Sequence, residues 1–120
     1  MEPVGSYERI LKLIEGGGAV AFYVSTPGCG VCRSLKPKVE RLIGDNFPDL
    51  ALYYVDAEAL PEARGQLSAY AIPVVLAYFG GRECVRMARN FGIAELGATI
   101  DRYYGLYVGP AGPTLRASDD

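Results

Sequence analysis

Cys29 and Cys32, three positions apart, are the residues of this chain best suited to covalent chemistry; a third cysteine, Cys84, stands far from them in sequence. A Cys-x-x-Cys pair has two chemical uses, as a dithiol that closes into a disulfide or as half of a metal site. Zinc takes four ligands, and beyond the pair the chain offers Cys84 and no histidine. A metal centre would therefore need two copies of the chain, four thiolates in all, around zinc or an iron–sulfur cluster. The lack of His also removes Cys-His and Ser-His nucleophile pairs and every imidazole acid–base step. No glycine-rich phosphate loop precedes a helix, since Gly16-Gly17-Gly18 leads into a strand pattern.

The pair becomes useful through what must surround it. Ala19 to Val24 (AVAFYV) is a short continuous apolar run, the mark of a strand covered on both faces, and Ser25-Thr26-Pro27-Gly28 ends it. Leu35, Val39, Leu42 and Ile43 then share one face of a helix over roughly 29–44, which Pro37 should kink. Cys29 thus falls at a helix N-terminus, where unsatisfied backbone amides and the positive end of the macrodipole favour a thiolate. Cys32 lies one turn inward on the same face, placed to attack a mixed disulfide formed at Cys29. Arg33 and Lys36 add positive charge that suits an anionic sulfur.

The remaining elements follow from periodicity. Tyr7, Ile10, Leu11 and Ile14 predict an amphipathic helix over 6–15. A second buried strand is expected at 51–55, then a helix with Pro61 in its first turn and Leu60, Ala63, Leu67 and Tyr70 facing inward. Val74 to Phe79 (VVLAYF) is a third apolar run, Gly80-Gly81 a hairpin signal, and Val85, Met87 and, less regularly, Phe91 mark a partner strand. Ile93, Leu96, Ile100, Tyr103 and Tyr104 give a last helix. Beyond it, residues 106–120 hold Gly and Pro without periodicity and read as a flexible tail to a single domain over 1–105. This order describes βαβ units followed by a β-hairpin and a closing helix, an α/β sandwich with a mixed sheet.

Composition agrees with one compact domain: 120 residues, half of them apolar. Twelve basic and 14 acidic residues without long like-charge blocks leave no footprint for nucleic acid or a membrane surface. No apolar run approaches the roughly 20 residues of a membrane span, and residues 1–6 do not read as a signal peptide. With an odd cysteine count, the expectation is a cytoplasmic protein in a reducing compartment.

Over roughly 19–104 the chain resembles the thioredoxin family. Cys29-Gly30-Val31-Cys32 between a strand and a helix resembles that family's redox loop, Pro37 its helix proline, and Ile72-Pro73 the proline that opens a later strand. Gly80-Gly81 and Gly92 match its hairpin and late glycine. The resemblance implies a three-layer α/β/α sandwich and a thiol–disulfide oxidoreductase in cell redox homeostasis and electron transport. Cys29 would be the attacking thiolate and Cys32 the resolving thiol. It further implies a cis peptide bond before Pro73 and a client groove formed by Gly28, Gly30, Val31, Ile72, Pro73 and Gly92. The partners would be disulfide-containing client proteins and a thioredoxin reductase or other dithiol donor, with no bound cofactor.

The chain also departs from that family. Gly28 stands where a Trp usually precedes the first cysteine, and the chain has no Trp. Tyr23 aligns with the family's buried Asp and Leu52 with its companion Lys, so the usual proton relay is missing, and the initial edge strand is expected to be short or absent. These departures motivate a rival reading, a thioredoxin-fold binding module with little turnover. Tyr23 reads as a core residue whose hydroxyl meets a thiolate only if it points toward Cys32. Tyr53, Tyr54, Tyr103, Tyr104 and Tyr107 read as packing or surface residues, and Cys84 as a bystander at the far end of the sheet.

Overall fold

The computed structural model describes residues 1–109. Its elements are β1 (Glu2–Pro3), α1 (Tyr7–Glu15), β2 (Ala19–Ser25), α2 (Gly30–Asn46), β3 (Ala51–Asp56), α3 (Pro61–Gln66), β4 (Val74–Phe79), β5 (Arg82–Ala88) and α4 (Ile93–Tyr107). They build one five-stranded sheet in the order β1-β3-β2-β4-β5. β1, β3 and β2 run parallel, while β4 is antiparallel to β2 and β5 antiparallel to β4.

The layering follows from the alternation of side chains along the strands. On β2, Ala21 and Tyr23 enter one core with Val39 and Ile43 of α2 and Leu96, Ile100 and Tyr104 of α4. Val20, Phe22 and Val24 enter the other with Ile10 of α1 and Ala63 of α3. Both faces of β2 are therefore buried, which is why its sequence is an unbroken apolar run rather than an alternation. The sheet lies between α1 with α3 on one side and α2 with α4 on the other, the three-layer arrangement expected from the sequence.

Local signals set the element ends. Ser6 caps α1 by accepting the Arg9 N–H at 3.2 Å, and Pro61 sits in the first turn of α3, where a missing N–H costs nothing. Gly80 and Gly81 take φ of 62° and 83°, the positive values that a two-residue hairpin needs. Helix α2 continues through Pro37. β1 is a two-residue strand paired with Tyr53 and Tyr54, extended by the Val4 N–H to the Tyr54 carbonyl.

Three expectations are corrected. Helix α3 ends at Gln66, and Ser68 adopts a left-handed φ of 52°, so Tyr70 lies outside the helix and is exposed instead of facing inward. Phe91 follows β5 without joining it. The closing helix passes Gly105 and ends at Tyr107, because Tyr103 and Tyr107, one turn apart, both stack on Phe79 with ring centroids 6.3 and 5.8 Å away. Leu106 and Tyr107 thus belong to the folded unit and not to the tail, and residues 110–120 of that expected tail lie outside the described residues.

Ile100 is fully buried between α4 and the sheet. Replacing it with Ala should cost about 2–5 kcal/mol through lost transfer energy and the cavity left behind. Urea unfolding should show a lower midpoint with an unchanged m-value.

Candidate functional site

Cys29 is the N-cap residue of α2, with extended backbone angles and its Sγ accepting the Cys32 N–H at 3.2 Å. One orphan amide of the helix start is thereby satisfied by sulfur, in the place usually filled by a Ser or Asp oxygen. Cys29 and Cys32 are joined as a disulfide with Cα atoms 5.2 Å apart. The two sulfurs are not equivalent: Cys29 is half-buried, while Cys32 is 1% exposed. No acidic residue lies in the first turn of α2. The cations anticipated there divide: Arg33 is exposed, but Lys36 is half-buried with its ammonium 4.6 Å from the centroid of the Tyr54 ring. Its charge is directed to the sheet by a cation–π contact.

The floor under the pair is built by β2 and β3. Tyr23 is fully buried, and its hydroxyl donates to the backbone carbonyl of Cys32 at 2.6 Å. It therefore points to the Cys32 backbone and not to a sulfur. Its ring stacks on that of Tyr54 at 6.5 Å, and Ser25 Oγ donates to the Tyr54 hydroxyl at 3.1 Å. Burial, with Tyr54 adding repulsion, pushes the Tyr23 hydroxyl up to about 12. Tyr23 is thus a neutral donor across the physiological range. Leu52, half-buried, packs on the same core.

The Ile72–Pro73 peptide bond is cis. Ile72 packs on the same core as Cys29, Phe91 and Ile93, and the pairing of Val24 with Val74 sets the start of β4 beside the end of β2 that leads to the cysteine loop. Arg89 donates its N–H to the Pro73 carbonyl at 2.7 Å from a left-handed φ of 60°. Gly92, between Phe91 and Ile93, is the exposed N-cap of α4. Gly28 and Gly30 are exposed, and a Cβ added to either would meet no atom within 4 Å. Val31 is 64% exposed, so around the pair the loop presents bare glycine backbone and the apolar Pro27 and Val31 side chains to solvent. Among the described residues, no group of three or more His, Cys, Asp or Glu could hold a metal ion.

No family model matches the chain. The thioredoxin-like protein YdfQ of Bacillus subtilis is 36% identical over 87 residues, covering 72% of this chain and 77% of that protein. The chain belongs to the thioredoxin family. Mitochondrial thioredoxin O2 of Arabidopsis thaliana is 32% identical over 97 residues, 78% of this chain and 58% of that protein. Among solved structures, Fasciola hepatica thioredoxin superposes with a TM-score of 0.76 at 28% identity, covering 85% of this chain and 98% of its own. Oxidised thioredoxin O2 of A. thaliana gives 0.75 at 23% identity, covering 86% and 93%, a likeness of fold. With the adjacent cysteine pair, these relatives make the protein a thiol–disulfide oxidoreductase.

One feature of this thioredoxin-like chain escaped the sequence reading. Arg86 donates to both carboxylate oxygens of Glu83 at 2.8 and 2.9 Å, to the Leu67 carbonyl at 2.7 Å and to the Ser68 carbonyl at 3.2 Å. It ties edge strand β5 to the segment that runs from α3 to Pro73. Strict alternation would send residues 83 and 86 to opposite faces, but a register shift pairs Tyr78 with Glu83 and Ala77 with Val85. Cys84, a free half-buried thiol, is the extra residue of that irregularity, and it lets Glu83 and Arg86 share a face.

The Arg86 hydrogen bond holds the Glu83 carboxyl below its ordinary value against the opposing effect of burial. A carboxyl depressed by folding contributes stability that is complete above its unfolded value and is lost as pH falls through the folded one. Arg86→Met should therefore lower the melting temperature at neutral pH, with the gap to wild type narrowing below the carboxylate range to the part carried by the Leu67 and Ser68 carbonyl bonds, which do not titrate. Hydrogen exchange should also quicken at Ser68 and Ala69, whose amides bond Gly65 and Arg64.

Proposed function

We propose that Cys29 is the attacking thiolate and Cys32 the resolving thiol of a protein that reduces client disulfides. The observation that carries this assignment is the asymmetry of the pair: Cys29 is the accessible sulfur, it already receives a backbone N–H, and it caps a helix start free of acids, while Cys32 is buried beneath it. The amide that hydrogen-bonds the oxidised sulfur is placed to hold the reduced one as an anion.

The electron pair moves in two exchanges. Cys29 thiolate attacks a client disulfide, forming a Cys29–client mixed disulfide and releasing one client thiolate. Cys32, after losing its proton to solvent, attacks Cys29 Sγ, forming the Cys29–Cys32 disulfide and releasing the second client thiolate. The client gains two electrons and takes up two protons from water, and the pair becomes the disulfide seen here. A thioredoxin reductase or another dithiol donor then returns the two electrons.

Gly28, Gly30 and Val31 on one side and Ile72, Pro73 and Gly92 on the other are assigned to client contact. Bare backbone at the glycines admits a peptide close to the sulfur, and Ile72 offers main chain to an extended segment. Cysteine usage supports a reducing, cytoplasmic setting.

In insulin reduction with dithiothreitol as electron source, wild type should accelerate turbidity. Cys29→Ser should fall to the uncatalysed rate, and Cys32→Ser, reduced and freed of dithiothreitol before insulin is added, should stall as a mixed disulfide with insulin, detectable by mass. Equal rates for all three would overturn the assignment. After reduction, iodoacetamide should modify Cys29 ahead of Cys84 at neutral pH.

A further inference from the structure

We infer that Tyr23 is the positioning residue for the resolving cysteine: its hydroxyl, anchored in the sheet, holds the Cys32 peptide so that the Cys32 sulfur stays aimed at Cys29 while a client occupies it. This rests on the roles just proposed for the two cysteines.

The Cys32 backbone is held through both of its peptide groups. Its N–H donates to Cys29 Sγ at 3.2 Å, and its carbonyl accepts the Tyr23 hydroxyl at 2.6 Å. The first bond is the weaker anchor during turnover, because Cys29 Sγ is then bonded to the client and moves with it. Cys32 also lies in the first turn of α2, where the helix has the fewest intrahelical bonds to resist fraying. Four residues downstream of Arg33, Pro37 brings no N–H, so the Arg33 carbonyl lacks its helical donor and the same turn is loosened further.

Tyr23 is well built to compensate. Its strand position pairs with Tyr54 on one side and with Val75 on the other. It is fully buried, and the stack on Tyr54 fixes its ring. A Phe would fill the same volume and keep the stack; what the hydroxyl adds is a directed bond to the one peptide that carries the resolving sulfur. Raised to about 12, the hydroxyl remains a donor and is not drawn off as a base.

The test separates the two exchanges in the full chain, with Cys84→Ser so that only the pair reacts. Reduced protein is mixed with one equivalent of dithiobis-nitrobenzoate in a stopped-flow instrument. Attack by Cys29 releases a first coloured thiolate and leaves the aryl group on Cys29; attack by Cys32 on Cys29 Sγ releases the second and closes the disulfide. Tyr23→Phe should leave the first release unchanged and slow the second about three- to tenfold, the range expected for one hydrogen bond. An unchanged or faster second release overturns the positioning role. So does slowing of both releases by the same factor, which marks general loosening. Absence of a first release in the Cys84→Ser protein with Tyr23 intact overturns the cysteine assignment itself, and the inference with it. In reduced wild-type protein, the Tyr23 hydroxyl proton should appear in NMR spectra in slow exchange and close to α2; its absence overturns the inference whatever the fate of the variant.

Discussion

Everything at the site hangs from β2. The strand pairs with β3 on one edge and β4 on the other, sends alternate side chains into both cores, and delivers the chain at Ser25 to the loop that carries Cys29. A strand held on four sides has almost no freedom to shift, because a slip of one residue would turn every apolar side chain to the wrong layer. The Ala57 N–H to the Ser25 carbonyl at 2.8 Å extends that hold to the strand's end. A redox loop rooted there can be spare, with glycines and one exposed Val, and still present its cysteines in one place.

The second organising fact is the neutrality of the ground beneath the cysteines. An ionised carboxylate at the position of Tyr23 would need a partner to offset its desolvation, and Leu52 cannot be one. The chain instead places the buried Tyr23 ring, the half-buried Tyr54 ring and the buried Ser25 hydroxyl there, with Tyr23 donating to the Cys32 carbonyl and Ser25 to the Tyr54 hydroxyl. Charge is kept to the outside: Arg33 in solvent, Lys36 against an aromatic face, Glu83 with Arg86 at the edge strand.

Much of this was legible in the sequence, and the exceptions have physical causes. Strands β2 and β4 announced themselves as continuous apolar runs because both faces are covered, and the cysteine pair and Ile72-Pro73 are local motifs that survive without context. Features that depend on long-range partners were not legible. β1 was expected to be short or absent and is two residues long, but its pairing with Tyr53 and Tyr54 could not be read from so short a stretch. The last turn of α4 forms past a glycine because Phe79, distant in sequence, offers a ring to Tyr107. Tyr70 fits a helical spacing, but the helix ends four residues before it. The Arg86 strut requires knowing that Cys84 breaks the strand alternation. For Tyr23 the residue was legible, but its target, a carbonyl rather than a sulfur, was not.

The neutral floor has a consequence for where the protein's electron affinity is set. In the thiolate role proposed for Cys29, the charge that appears when the disulfide opens would be met by the amides at the start of α2, while the nearby cations lie outward, Arg33 in solvent and Lys36 half-buried on the Tyr54 ring. Mobile ions screen a surface cation far more than a buried one. The poise of the couple is therefore open to the ionic strength of its surroundings and to the charge a docking client brings, so that acidic and basic clients meet, in effect, two different reductants.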